Sequence, residues 1–534
     1  MARTMWWRQG IIYEIYARSF QDSNGDGIGD LEGIRARLDY LAWLGVDAIW
    51  ITPVYPSPMK DFGYDVANYC GIDPIFGTMG DFDRLIADAH RLGLRVVMDF
   101  VPNHTSDQHP WFLESRSSRQ SGKRDWYIWR DARPDGSPPN NWISNFGGSA
   151  WERDETTGQY YYHAFLREQP DLNWRNPRVR AAMHEVLRFW LARGVDGFRV
   201  DVLWHLMKDP QLRDNPPNPA YAANQPEIER FLQIHSADHP DIHGVIAEMR
   251  KVIDSYPDRV LIGELYLPLE RLVAYYGMNT DGAHLPFNFQ LLQTPWKARN
   301  IASLVQEYES VLPEGGWPNW VLGNHDKPRI AARVGDAQAR IAAMLLLTLR
   351  GTPTLYYGDE LGIGQVSIPP DRVRDPWEHN EPGLGFGRDP QRTPMQWDPS
   401  PCAGFTDAIP WLPLSPDAHA RNVGTLASDE TSILSLYRRL ISVRRAHPAL
   451  SIGSYKTLEP APSGDVLAYE RQHEADRLVM VLNLGAEPQT AENPQFAGLT
   501  VEVSTCPDRE GQTVGPIVTL RPDEGLILSR TGTP

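Results

Sequence analysis

Along the first 103 residues, short β-forming runs alternate with amphipathic helical stretches, and this rhythm limits what the chain can become. Ile11-Ile12-Tyr13-Glu14-Ile15-Tyr16, Ala48-Ile49-Trp50-Ile51 and Arg95 to Val101 read as strands. Ile34 to Leu44 reads as a helix with Ile34, Leu38, Leu41 and Leu44 on one face, and Phe82 to His90 as another. Such alternation predicts βα units around a parallel sheet.

From His104 to about Trp174 the rhythm breaks. This stretch is rich in Trp, Pro, Asn, Asp and Gly, with one clear strand at Gln159 to Leu166. A structureless loop of that length is improbable in a compact domain, so residues 104–174 read as a small inserted domain. Alternation resumes at Asn176-Pro177, an Asn cap with Pro at the first helical position, followed by a stripe of Val179, Met183, Val186, Phe189 and Trp190. Further strands fall at Gly197 to Val202, Val260 to Leu265, His284 to Phe287, Trp320 to Gly323 and Pro353 to Tyr357. Eight such units predict an α/β fold, a closed (β/α)8 barrel over 1–103 and 175–456, with its reactive loops at the C-terminal ends of the strands. From 457 to 534 the pattern turns all-β, predicting a separate C-terminal antiparallel sandwich domain.

Composition narrows the function. The 534 residues carry a net charge of −16, which argues against a nucleic-acid footprint, since such proteins concentrate positive charge. The longest apolar stretch, Ile341 to Leu349, is far short of the ~20 residues a membrane helix needs. No signal-peptide core stands in Met1 to Arg8, and Cys70, Cys402 and Cys506 outline neither a disulfide framework nor a metal site. The expectation is a cytoplasmic protein with no nucleic-acid or membrane partner and no organic cofactor, its oligomeric state left open.

In Gly197-Phe198-Arg199-Val200-Asp201, strand alternation puts Arg199 and Asp201 on one face and Phe198 and Val200 on the other. If the apolar pair packs outward, Arg199 and Asp201 enter the barrel mouth, where a cation beside the carboxylate favours its ionised form. A buried ion pair bracing the barrel would use the same residues. Gly263-Glu264 ends the fifth strand in the same way, and Asn324-His325-Asp326 ends the seventh. Three carboxylates at three strand ends, with His104 and His325 nearby, suit acid–base work on a neutral polar substrate.

These segments carry a resemblance to a known family. Trp6-Trp7, Asp99-Phe100-Val101-Pro102-Asn103-His104, Gly197 to Asp201, Gly263-Glu264, Asn324-His325-Asp326 and Arg392-Thr393-Pro394-Met395-Gln396-Trp397-Asp398 together resemble glycoside hydrolase family 13, the α-amylase superfamily. Within it the chain is similar to bacterial α-glucosidases and oligo-1,6-glucosidases. The resemblance implies that Asp201 is the nucleophile, Glu264 the general acid/base and Asp326 the transition-state stabiliser of a retaining double displacement. Retaining chemistry calls for carboxyls about 5–5.5 Å apart. It further implies that Asp65, Tyr64, His104, Arg199, His325 and Arg392 hold the non-reducing-end glucose, with Asp65 and Arg392 closing the pocket behind it. Asp99 is read as a structural partner of Arg199.

A second constellation is Asp22-Ser23-Asn24-Gly25-Asp26-Gly27-Ile28-Gly29-Asp30. Side-chain oxygens at Asp22, Asn24, Asp26 and Asp30, with the Ile28 carbonyl, match the first part of an EF-hand-type loop. Gly33 stands where that motif has a bidentate Glu, so the expectation is an oxygen cage for one Ca²⁺ rather than an EF-hand. An Asx-turn loop without metal would use the same residues. In related glucosidases this loop holds a structural Ca²⁺, sometimes Mg²⁺.

Val202, just after Asp201, goes in relatives with tolerance of α-1,6 bonds, whereas Thr or Ala goes with α-1,4 preference. Val202-Leu203-Trp204-His205 also resembles broad α-glucosidases, so the expectation is a broad exo-acting α-glucosidase for maltose, isomaltose and sucrose-type substrates, transferring glucose to other sugars at high concentration. A dedicated oligo-1,6-glucosidase, a trehalose-type glucosyl isomerase and, more remotely, a non-catalytic barrel protein are the alternatives.

Overall fold

Eight parallel strands pair in an order that follows the chain and returns to its start. They are β1 (Ile12–Ile15), β2 (Ala48–Ile51), β3 (Arg95–Phe100), β4 (Gly197–Val200), β5 (Val260–Gly263), β6 (Leu285–Pro286), β7 (Asn319–Val321) and β8 (Thr352–Tyr356). The sheet runs β7-β8-β1-β2-β3-β4-β5-β6, and a parallel bridge between Asn288 and Trp320 joins its two edges into the predicted barrel. The computed structural model describes residues 5–459 and 464–530; four residues of the Met1–Arg8 stretch and part of 457–534 lie outside the described residues.

Both faces of each strand are covered, as parallel sheets require. Ile12, Trp50, Val97, Ile262, Leu285 and Val321 fill the interior. Tyr13, Ile49, Val96, Phe198, Val200 and Leu261 belong to the outer core against the helices. Phe198 and Val200 thus point outward, and alternation turns Arg199 and Asp201 inward. Register sets their height: Asp99 lies opposite Arg199 across β3 and β4, and Val200 opposite Gly263 across β4 and β5. Asp201 and Glu264 therefore leave their strands at the same level.

Helix boundaries follow local chemistry. The helix Met79–Arg91 opens on a capping box between Thr78 and Asp81, and Pro177–Ala192 on the Asn176 side chain, which accepts from Arg178 N–H. The single helix expected over Ile34 to Leu44 is divided into Leu31–Ala36 and Leu38–Leu44. Arg37 leaves helical geometry between them, and its guanidinium binds Gln21 and lies over Trp397.

The inserted segment builds a three-stranded antiparallel sheet with Tyr160–Tyr162 between Trp129–Arg130 and Trp151–Arg153. The expected strand at Gln159 to Leu166 is cut short after Tyr162, because the Asp171 carboxylate takes the Ala164 N–H at 2.7 Å. C-terminal to the barrel, Ser454–Leu458, Val466–His473, Asp476–Asn483, Gly525–Ser529 and Thr500–Ser504 form a five-stranded antiparallel sheet, with Gln489–Glu492 pairing Ile517–Leu520 beside it. Among the described residues no helix is long and apolar enough to cross a membrane.

Asp171 also ties the inserted segment to the barrel. Its buried carboxylate meets Lys208 Nζ at 2.5 Å and accepts from Asn103 Nδ2 at 2.9 Å, while Lys208 donates to Asn103 Oδ1 at 2.8 Å. Breaking a buried pair from one side strands the other charge and costs about 3–5 kcal/mol. Lys208→Met should therefore lower the melting temperature and raise hydrogen exchange in 104–174 before the barrel strands exchange. Unchanged protection there would show that the pair does not hold the insertion.

Candidate active site

At the C-terminal mouth of the barrel a cavity of about 530 Å³ opens between the barrel loops and the inserted segment. Asp201, Glu264 and Asp326 all line it, together with Tyr64, His104 and His325. Three strand ends thus converge on one space.

Arg199 lies beneath this space, outside its lining, and ties its acids together. The guanidinium is fully buried, lies over the Trp50 ring at 4.9 Å, and bridges three carboxylates. Nη1 donates to Asp99 Oδ1 at 2.9 Å and Asp201 Oδ1 at 2.7 Å, and Nη2 pairs with Glu264 Oε2 at 2.9 Å. Asp99 takes the structural place expected for it. It accepts from Arg199, Tyr64 and Trp50, and it is absent from the cavity lining. The chain turns sharply after Asp201. Val202 sits at φ 37°, ψ 48°, a left-handed conformation that a β-branched residue rarely adopts, and its N–H donates to Glu264 Oε2 at 2.8 Å. Gly263 lets this turn pack, because a Cβ there would stand 2.6 Å from Leu203 Cδ2.

One cation among three buried carboxylates changes the expected electrostatics. Burial, opposed by Arg199, pushes Glu264 up to about 7. Burial also raises Asp201, with Glu264 and Asp99 adding to it against the pull of Arg199. Arg199 does not by itself hold Asp201 ionised, as the sequence suggested. Two buried carboxyls held by one guanidinium titrate as a unit, and their mutual repulsion favours a single shared proton. Asp326 differs: burial opposes its charge, but Arg392, Arg388 and Arg199 outweigh burial and hold it well below the usual carboxylate range. Arg392 Nη2 donates to Asp326 Oδ1 at 2.8 Å. His104 is kept neutral by burial, which lowers it to about 4, and its Nε2 faces the Tyr64 carbonyl at 3.1 Å.

Three of the residues read as glucose contacts, Arg199, Asp65 and Arg392, lie outside the cavity lining, and for the last two the residue four positions earlier lines it instead. Asp65 lies outside the cavity lining; its carboxylate accepts from Ser57 Oγ, Lys60 N–H and Asp61 N–H at 2.8–3.0 Å. It folds the loop that presents Asp61. Asp61 and Arg388 both line the cavity and pair at 2.7 Å, with Arg388 braced by Asp375 and lying over Phe146. Arg392 stands behind the wall, holding the His325 carbonyl and Asp326. The carboxylate–guanidinium clamp read onto Asp65 and Arg392 is thus formed by Asp61 and Arg388. In each pair the missed residue lies four positions before the chosen one, has the same chemistry, and is distinguished only by where its loop aims it. Trp204, Tyr266 and Lys327 also line the cavity and escaped the sequence reading, with Lys327 Nζ 4.9 Å from the centre of the Tyr266 ring.

The Asp22–Asp30 loop lies apart from this cavity, against Phe405 and Thr406. Asp22 accepts backbone N–H groups from Asn24, Gly25 and Gly27, Asn24 accepts from Asp26, Asp26 from Ile28, and Asp30 from Ser23 and Gly33. Among the described residues no group of three or more His, Cys, Asp or Glu side chains forms a metal cluster. Any cage here must therefore draw on the Asn24 amide and the Ile28 carbonyl.

Comparison with known proteins places the chain in a family. Residues 14–453 match the family model described as alpha amylase, catalytic domain. A probable alpha-glucosidase of Rhizobium meliloti (strain 1021) is 44% identical over 92% of this chain and 91% of that protein. An oligo-1,6-glucosidase of Parageobacillus thermoglucosidasius is 39% identical over 90% of each. Among solved structures, the alpha-glucosyl transfer enzyme XgtA superposes with a TM-score of 0.93 at 39% identity, covering 99% of this chain and 100% of its own. The trehalulose synthase MutB from Pseudomonas mesoacidophila MX-45 follows at 0.90 and 36%, covering 98% and 99%. With the barrel, the three strand-end carboxylates and this coverage in hand, the chain belongs to the α-amylase family, glycoside hydrolase family 13.

Proposed function

We propose that this protein is a retaining, exo-acting α-glucosidase that removes terminal non-reducing glucose from short α-glucosides and passes it to sugar hydroxyls when these are abundant. The observation that carries the reading is Arg199 holding, from beneath, the Asp201 and Glu264 carboxylates of adjacent strand ends, which line one cavity with the Asp61–Arg388 pair. Adjacent strands lie about 4.8 Å apart, and carboxyls leaving them at one level suit the ~5–5.5 Å of retaining enzymes better than the ~6.5–9.5 Å of inverting ones. The three free thiols, Cys70, Cys402 and Cys506, support a reducing compartment such as the cytoplasm.

In this mechanism the shared proton of the pair sits on Glu264 while Asp201 is ionised beside Arg199 Nη1. Glu264 donates to the departing oxygen as the Asp201 carboxylate attacks the anomeric carbon, and the glycosidic C–O bond breaks as the ester forms. Glu264, now a base, takes a proton from water or a sugar hydroxyl, whose oxygen displaces Asp201. Asp326, kept ionised by its arginines, and His325 and His104 hold hydroxyls of the same glucose. Asp61 and Arg388 close the pocket behind it, which makes the cleavage terminal.

Chromatography of products from maltose, isomaltose, sucrose and trehalose, with the anomer of released glucose followed by NMR, tests the reading. Free α-glucose as the first product supports it. First-formed β-glucose would overturn retention, and rearranged disaccharide from sucrose would favour the isomerase alternative, the activity named for the trehalulose synthase neighbour. Asp201→Asn should lose at least about 10⁴-fold in kcat with the fold intact, since an amide cannot form the glucosyl ester.

The activity should fall on the basic side near pH 7, where Glu264 loses the proton it must donate. Glu264→Gln should abolish that limb and be least damaging on activated aryl glucosides, which need little protonation. A basic limb surviving in the variant would assign it to another group.

For the Asp22–Asp30 loop we propose a single structural Ca²⁺, held by oxygens of Asp22, Asn24, Asp26, Asp30 and the Ile28 carbonyl; the three carboxylates, which form no cluster here, would turn from their backbone partners to the ion. The support is the all-oxygen donor set, suited to a hard cation, and the chain of side-chain-to-backbone hydrogen bonds that pre-folds the loop. Chelation should lower the melting temperature and Ca²⁺ restore it, with Asp26→Ala insensitive to both. No calcium binding by calorimetry would overturn the site.

A further inference from the structure

Glu14 takes no part in the reaction above, yet it is the carboxyl that faces His325 from inside the barrel. It rises from β1, is wholly buried, and its Oε1 lies 2.5 Å from His325 Nδ1 and accepts from the His325 backbone N–H at 3.4 Å. Its other oxygen, Oε2, has no hydrogen-bond partner among the described residues. On the opposite edge of the imidazole, Nε2 lies 2.8 Å from the Tyr64 hydroxyl and 3.4 Å from Asp326 Oδ2. Tyr16 and Tyr64 lie nearly parallel to the ring, with centroids 5.6 and 5.4 Å away.

The proton positions follow from the donors. Tyr64 has one hydroxyl proton and two neighbours, Asp99 Oδ2 at 2.9 Å and His325 Nε2. Asp99 Oδ2 also faces Trp50 Nε1 and Arg199 Nη1, both at 3.2 Å, and those groups can only donate. Asp99 therefore accepts throughout and takes the Tyr64 proton. The Tyr64 oxygen must then accept, so His325 carries its proton on Nε2. A neutral imidazole has one N–H, and burial, outweighing the nearby Asp326, keeps His325 neutral. Nδ1 is thus an acceptor, and the proton in the 2.5 Å contact belongs to Glu14. An ionised Glu14 would bury a charge with one oxygen unpartnered, which is costly; burial accordingly raises Glu14 well above the carboxylate range.

We propose that Glu14 is a positioning residue for the α-glucosidase site: as a protonated carboxyl it donates to His325 Nδ1 and locks the tautomer whose Nε2–H faces Tyr64 and Asp326. Without that donor the imidazole proton is free to move to Nδ1. The bare Nε2 lone pair would then oppose the Tyr64 oxygen and the Asp326 carboxylate, misplacing two groups of the pocket wall. The inference rests on the glucosidase reading for its kinetic consequence, but not for the tautomer.

Two variants and one spectrum test it. Glu14→Leu keeps the bulk and removes the donor; kcat/KM on maltose should fall about 10–100-fold, with KM rising, at a melting temperature that shows a folded enzyme. Glu14→Gln, whose amide N–H can replace the donor, should restore kcat/KM to within about 3-fold of wild type. In ¹⁵N-histidine-labelled wild type and Glu14→Gln, the His325 signal, assigned by its loss in His325→Asn, should show a protonated Nε2 and an acceptor Nδ1. That spectrum stands whether or not the enzyme hydrolyses maltose, and it decides the matter if Glu14→Leu does not fold. A doubly protonated His325, a proton on Nδ1, or a Glu14→Gln enzyme as impaired as Glu14→Leu would overturn the proposal.

Discussion

A single buried guanidinium holds the working end of this barrel together. Arg199 contacts Asp99, Asp201 and Glu264 and rests on Trp50, so residues from four strand regions depend on one charge. Burying a cation costs several kcal/mol unless it is paired and hydrogen-bonded, and three carboxylates leave it no shortage of partners. Their excess has the opposite effect on themselves. Three acids around one base cannot all ionise cheaply in a low-dielectric site, and burial raises both Asp201 and Glu264, favouring a proton on that pair. A carboxyl able to keep its proton near neutral pH is thus a consequence of the same packing that closes the barrel.

Around this centre the structure separates groups that work at the cavity from groups that aim them. Asp201, Glu264, Asp326, Asp61 and Arg388 line the space. Asp65 shapes the loop under Asp61, Arg392 holds Asp326, Asp375 braces Arg388, and Glu14 faces His325 from within the barrel. Each supporting group is itself a charged or ionisable residue, buried and hydrogen-bonded. In sequence the two sets look alike, since both are Asp, Glu and Arg near strand ends.

The barrel was legible because periodicity is a property of the chain itself. Alternation of side chains puts Arg199 and Asp201 on one face, and the outer packing of Phe198 and Val200 is what makes that face the inner one. The strand ends named Asp201, Glu264 and Asp326 for the same reason. The clamp was misread because Asp61 and Asp65, like Arg388 and Arg392, share a loop without periodicity. Which of each pair meets the cavity is decided by backbone hydrogen bonds to Asp65 and by the salt bridge between Asp61 and Arg388.

By itself, then, the sequence determined the barrel, its inward-facing residues and the three carboxylates at its mouth, because hydrophobic period and strand alternation are local and survive in one dimension. Only the tertiary structure decided the left-handed turn at Val202, the sharing of Arg199 among three acids, the clamp at Asp61 and Arg388, and the contact of Glu14 with His325. These depend on strand register and on which loops meet over the barrel. Both are set by contacts between residues tens to hundreds of positions apart, and no local pattern encodes them.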